Sequence, residues 1–103
     1  MAKVDFTVTK YATGRGSGAA SLRSSYVRIS GQDTITTVEN IENASGDISV
    51  VPGEVLAIHT DRALRISFGG VAATSTTGHY IPASTLVEIE VADAGAVSAI
   101  EAA

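Results

Sequence analysis

Few side chains in this 103-residue chain could do chemistry, and their spacing decides which chemistry is open to them. His59 and Asp61 stand two apart, so on a continuing strand they share a face and the carboxylate could orient the imidazole for acid–base work. No motif ties a nucleophile to that pair, although serines are plentiful, and a strand-end histidine near a turn aspartate is the preferred reading. His79 precedes Tyr80 and could share a zinc ion with His59, but neither HxH nor HExxH spacing accompanies them; structural, hydrogen-bonded histidines are the alternative. Glu39, Glu42, Asp47 and Glu54 could offer oxygens to calcium, yet the EF-hand loop pattern is absent. Gly14, Gly16 and Gly18 could let backbone amides approach a phosphate, but they fit neither GxGxxG nor GxxxxGK[ST], and a flexible Gly-rich loop near residues 12–20 is expected instead. Asn43-Ala44-Ser45 matches the N-glycosylation acceptor pattern and reads as a turn. No catalytic residue, cofactor or metal is expected.

The elements that must position these residues are strands. Leu64, Ile66 and Phe68 alternate with Arg65 and Ser67, and Val87, Ile89 and Val91 alternate with Glu88 and Glu90, which is the period of two that half-buries a strand. Val4, Phe6 and Val8 predict a first strand ending near Lys10 or Tyr11. Ser21 to Ser30 predicts a second, with Tyr26, Arg28 and Ser30 on one face, Val27 and Ile29 on the other, and a turn at Gly31-Gln32-Asp33. A strand from Thr34 to Ile41 could bury either face, and the turn NASGD separates it from Asp47–Val51. Pro52-Gly53 delivers the chain into Glu54–Thr60, which is expected to pair across Asp61-Arg62 with Ala63–Gly69 as a hairpin. The small, nearly uncharged stretch GGVAATSTTGHYIPAS reads as a linker, and Thr85–Val91 with Ala96–Ile100 reads as a second hairpin closed by ADAG. The prediction is an all-β chain: one domain over residues 1–103, an antiparallel β-sandwich or small barrel of about seven or eight short strands.

Composition narrows the function. The length suits one domain with one core. Charged residues make up 17% and sum to −4, so no basic footprint invites nucleic acid or an anionic membrane. The absence of cysteine excludes disulfides and thiolate chemistry and suits synthesis in a cytoplasm. MAKVDFTVTKY lacks the apolar block of a secretory signal, and no run reaches the roughly 20 apolar residues of a membrane helix.

The string ALRISFGGVAATSTTGHYIPASTLVEIEVADAGAVSAIEA, residues 63–102, resembles the C-terminal part of small virion proteins encoded among the head genes of tailed bacteriophages. The shared pattern is an LRISFG-like strand, an Ala/Thr/Ser linker, a Gly-x-Tyr-Ile-Pro-Ala step, an alternating strand and a terminal strand with a small-residue tail. The resemblance covers about two fifths of the chain and consists of turn and strand signals. It implies a non-enzymatic virion component of the capsid decoration or cement type, synthesised in the host cytoplasm. Its partners would be other copies of itself, with a trimer preferred, and the major capsid protein or other virion proteins.

Two other functions compete with that reading. A small carbohydrate-binding β-sandwich of a host-recognition device is disfavoured because sugar faces usually carry aromatic platforms, whereas here tryptophan is absent and Tyr11, Tyr26 and Tyr80 are dispersed. A minor hydrolase lacks a supporting motif. Contacts with neighbours are expected at two stretches of small residues that bury too little apolar surface alone: Gly14, Arg15, Gly16 and Ser17 in one, Gly70, Val71, Thr74, Thr76 and Thr77 in the other. Arg23, Arg28, Arg62 and Arg65 could also pair across a subunit boundary with Glu88 and Glu90, although solvated strand faces are the commoner role.

Overall fold

A computed structural model describes residues 1–13 and 23–103, with side chains described for 1–10 and 26–103. Among the described residues the regular structure is entirely β. The alternation of Ala2, Val4, Phe6 and Val8 with polar residues produces β1 (Ala2–Thr13), which pairs along its whole length with β2 (Arg23–Ile35). On its other side β1 pairs with β7 (Glu54–Thr60), and β7 pairs with β10 (Val87–Glu90), giving a four-stranded antiparallel sheet in the order β10-β7-β1-β2.

A second four-stranded sheet contains β3 (Glu39–Asn40), β12 (Ser98–Glu101), β8 (Leu64–Ser67) and β9 (His79–Ile81), in that order. Two small ladders complete the fold: β4 (Glu42–Asn43) with β5 (Gly46–Asp47), and β6 (Ser49–Val50) with β11 (Gly95–Ala96). Short pieces therefore raise the strand number among the described residues above the seven or eight expected.

The inner faces of both large sheets supply one core, which includes Val4, Phe6, Val8, Ile35, Leu56 and Ile58 from one side and Leu64, Ile66, Ile81, Val97 and Ala99 from the other. Each fully buried Leu or Ile contributes roughly 1.5–3 kcal/mol, so this shared face is what holds the sandwich together.

Both expected hairpins are replaced by crossings between sheets. β7 and β8 do not pair: Asp61-Arg62-Ala63 carries the chain from the first sheet to the second, and Leu56 and Ile58 face Leu64 and Ile66 across the core. Likewise β10 pairs with β7 while β12 pairs with β8 and β3, so ADAG is a crossing rather than a hairpin tip. Alternation is the same for either connection, because a hairpin and a crossing both bury one face of each strand.

Two further expectations fail, one on a single residue and one on a short strand. Gly31 does not turn; it lies inside β2 opposite Phe6, and a Cβ there would sit 2.9 Å from Asn43 Cβ and 3.0 Å from the Phe6 ring. It is a glycine of close approach, which lets the aromatic ring lie over the strand. The linker after β8 also contains structure, since β9 pairs with β8 through Leu64↔Ile81, Arg65↔Tyr80 and Ile66↔His79.

The first strand outruns its expected end. β7 accompanies β1 only as far as Lys10↔Glu54, so Tyr11, Ala12 and Thr13 pair with β2 alone as a two-stranded ribbon. Ala12 and Thr13 thus belong to a strand and not to the Gly-rich loop, whose residues 14–20 lie outside the described residues. A strand of this length spans roughly 40 Å, in keeping with principal extents of 48 × 26 × 24 Å.

Candidate functional site

The register of β1 against β2 slips between Val8 and Thr9: Val8 faces Ile29, Thr9 faces Val27, and Arg28 is left over as a bulge. A bulge re-aims a side chain, and here it sends the Arg28 guanidinium to Glu54. Glu54 opens β7 just after the Pro52-Gly53 turn and is 1% exposed. Arg28 grips it with both prongs of the fork: Nε donates to one carboxylate oxygen and Nη2 to the other at 2.8 Å. Nη2 also donates to the Ser49 carbonyl, and the Val51 amide donates to Glu54 Oε1 at 2.9 Å.

The Arg28 bond, helped by the Val51 amide, holds the Glu54 carboxyl below its ordinary range despite the opposing effect of burial. The same bond raises Arg28. This pair ties β2, β7 and the Ser49–Val51 segment together within one chain. Arg28 is therefore not available to Glu88 or Glu90 of a neighbour. The slip also corrects the expected faces of the second strand, because it places Val27 on the outer face and Ile29 on the inner one.

The remaining chemistry-bearing residues are dispersed. His59 lies exposed on the outer face of the first sheet, cross-strand from Asp5, beside a shallow depression that Gln32 and Leu86 also line. Asp61 serves the backbone instead: its Oδ1 accepts the Lys3 amide at 2.7 Å, and its own amide donates to the Lys3 carbonyl at 3.2 Å. Asp61→Ala should cost about 1 kcal/mol in a denaturant melt, the usual worth of one such bond. His79 opens β9 in the other sheet, its ring centroid 5.4 Å from that of Phe68, so the two histidines do not share a site.

The acidic residues divide as well. Asp33 accepts the amides of Thr34 and Glu42, at 2.7 and 3.0 Å, and Asp47 accepts the Asn40 side-chain amide at 3.0 Å. Partial burial, with Asp33 and Glu42 nearby, raises Glu39, while Glu54 stands apart beside Arg28. Among the described residues no three His, Cys, Asp or Glu side chains are grouped as a metal site. Arg62 lies 3.9 Å from Glu101, and Arg65 stacks 4.9 Å from the Tyr80 ring centre while donating to the Gly78 carbonyl at 3.3 Å. Within the chain neither is paired with Glu88 or Glu90. Tyr26 and Tyr80 stand in different sheets and make no common aromatic platform.

Gly70, Val71, Thr74, Thr76 and Thr77 all lie exposed in the connection between β8 and β9, whereas Gly14, Arg15, Gly16 and Ser17 lie outside the described residues. The connection is held in place within the chain, contrary to the expectation that it needs a partner to be ordered. The Ala73 amide donates to buried Ser98 Oγ at 3.0 Å and the Ala103 amide to the Ser75 carbonyl at 2.9 Å. The Thr74 and Thr77 hydroxyls bond one another across a tight turn. What results is a fixed surface of small, outward-facing side chains around exposed Val71.

Sequence reasoning missed the Arg28–Glu54 pair because 26 positions separate the partners and the bulge shifts the strand by one residue. A weaker signal was present: between residues 6 and 32 the chain has Lys10, Arg15, Arg23 and Arg28 and no acidic residue. The chain matches no protein-family model, and neither a curated protein nor a solved structure proves similar to it.

Proposed function

We propose that this chain is a non-enzymatic structural protein of a bacteriophage virion, one that self-associates and seats on the capsid shell as a decoration or cement protein. The resemblance of residues 63–102 to such proteins supports the virion assignment. The observation that carries it is the β8–β9 connection, which presents Gly70, Val71, Thr74, Thr76 and Thr77 outward while its backbone is tied to Ser98 and Ala103. A surface already fixed in the free protein loses little conformational entropy on docking, so even a modest apolar contact contributes to affinity.

Thr76→Arg tests this reading. Thr76 is exposed, so the stability should change by no more than an ordinary surface substitution does, about 0.5 kcal/mol. Co-sedimentation with purified capsids should fall sharply, because the core of an interface tolerates an unpaired charge poorly. Capsid binding equal to that of the unmodified protein would remove this surface from the proposal.

A further inference from the structure

The first sheet ends in two unlike edges. One edge is β10, four residues long, with Glu88 and Glu90 on its outer face. Short length and charge are the usual means by which an edge is kept from pairing promiscuously. The other edge is β2, thirteen residues long. Its C-terminal part is covered where Asp33 accepts the Glu42 amide, but Tyr26 and Val27 are 54% and 58% exposed. Along the sequence, residues 6–32 hold four basic residues and no Asp or Glu, whereas residues 33–103 hold ten acidic residues against Arg62 and Arg65. Lys10 lies cross-strand from Tyr26, and of the acids beside β2 Glu54 is held by Arg28 and Asp33 belongs to the covered end.

We propose that β2 of one copy pairs with β10 of the next, so that the first sheet continues from molecule to molecule. This rests on the self-association in the reading above and not on its capsid. All three pairings of the sheet are antiparallel, so β10 and β2 run in opposite directions. A second copy in the same orientation therefore presents its β10 antiparallel to β2, able to form ladder bonds on either side of the Arg28 bulge. The register Glu90↔Val55↔Thr9↔Val27 puts Glu90 and Val27 on one transverse row and one face at opposite edges. Continuing that row brings Glu90 of the next copy to the Val27 edge, with Glu88 two positions along. The contact joins two different patches, so it makes a closed ring where the rotation between copies permits and a filament where it does not.

Sedimentation velocity on the full chain at tens of micromolar tests the pairing without any capsid. The unmodified protein should sediment as an oligomer. Val27→Glu should weaken association by roughly tenfold or more, since it sets like charge against Glu88 and Glu90, while Val27→Lys should preserve it. The double variant Glu88→Lys/Glu90→Lys should be monomeric, and mixing it with Val27→Glu should restore the oligomer. At concentrations low enough that every protein is monomeric, the variants should melt with the unmodified protein, because these positions are exposed in the monomer. A monomeric unmodified protein, or equal loss with Val27→Glu and Val27→Lys and no rescue on mixing, would overturn the proposal; the second outcome would indicate β2 pairing with β2. Retained oligomer with lost capsid binding would instead count against the capsid surface alone.

Discussion

Arg28→Ala should destabilise the protein by about 3–5 kcal/mol at neutral pH, the loss expected when one partner of a buried ion pair is removed. The asymmetry of the pair gives the direction. The Arg28 side chain is 33% exposed and can be rehydrated, but Glu54 is 1% exposed and would keep its charge without a counter-ion. For a domain of this size the melting temperature should fall by on the order of 15 °C or more. Arg28→Lys should lose an intermediate amount, because an ammonium cannot engage both carboxylate oxygens in the guanidinium's planar fork.

The pH dependence separates this cause from lost packing. In the unmodified protein the Glu54 carboxyl is lowered from 4.5 by Arg28. Its contribution is therefore complete above the unfolded value and is lost as pH falls through the lower, folded one. In Arg28→Ala burial raises the carboxyl against the smaller, opposing effects of the Val51 amide and Lys10, so protonation relieves the penalty. The gap between the two proteins in urea melts should begin to narrow above 4.5, as the variant's raised carboxyl takes up its proton, and go on narrowing below it, as the unmodified protein loses the contribution of its lowered one. A gap constant from pH 7 to pH 3 would show that the guanidinium contributes through its alkyl packing instead.

Gly78→Ala should have the second large effect, on the order of 3 kcal/mol, by adding a Cβ to a strained position. The residue has φ of +103°, and the new Cβ would lie 2.5 Å from the Ile66 carbonyl oxygen, a backbone atom that cannot move without disturbing β8. Relief requires β9 to draw away from β8, which would unseat buried Ile81 and the Arg65–Tyr80 stack. Hydrogen exchange should report this locally, with protection lost at residues 79–81 before it is lost in β1 and β7. Uniform protection loss across both sheets would mean that β9 unfolds only with the whole domain.

Alternation by itself determined the all-β class and most inward faces. Val4, Phe6 and Val8, then Leu64, Ile66 and Phe68, had to point to a core because a strand's side chains alternate whatever its neighbours are. Sequence also located the turn at Pro52-Gly53 and the Asn43–Gly46 turn, where local backbone chemistry decides. It placed the exposed side of the Gly70–Thr77 connection, though not the bonds that hold it.

Only the tertiary structure decided which strands pair. A period of two does not name a partner, so Glu54–Thr60 could satisfy it against Leu64–Ser67 or against β1. The Asp61 bond to the Lys3 amide accompanies the second choice, as does the core shared between sheets. The same holds for Gly31, whose role depends on Phe6 across the strand, and for Arg28, which meets Glu54 because one bulge moves it out of the row. These features depend on contacts between residues far apart in the chain, and local pattern carries no term for them.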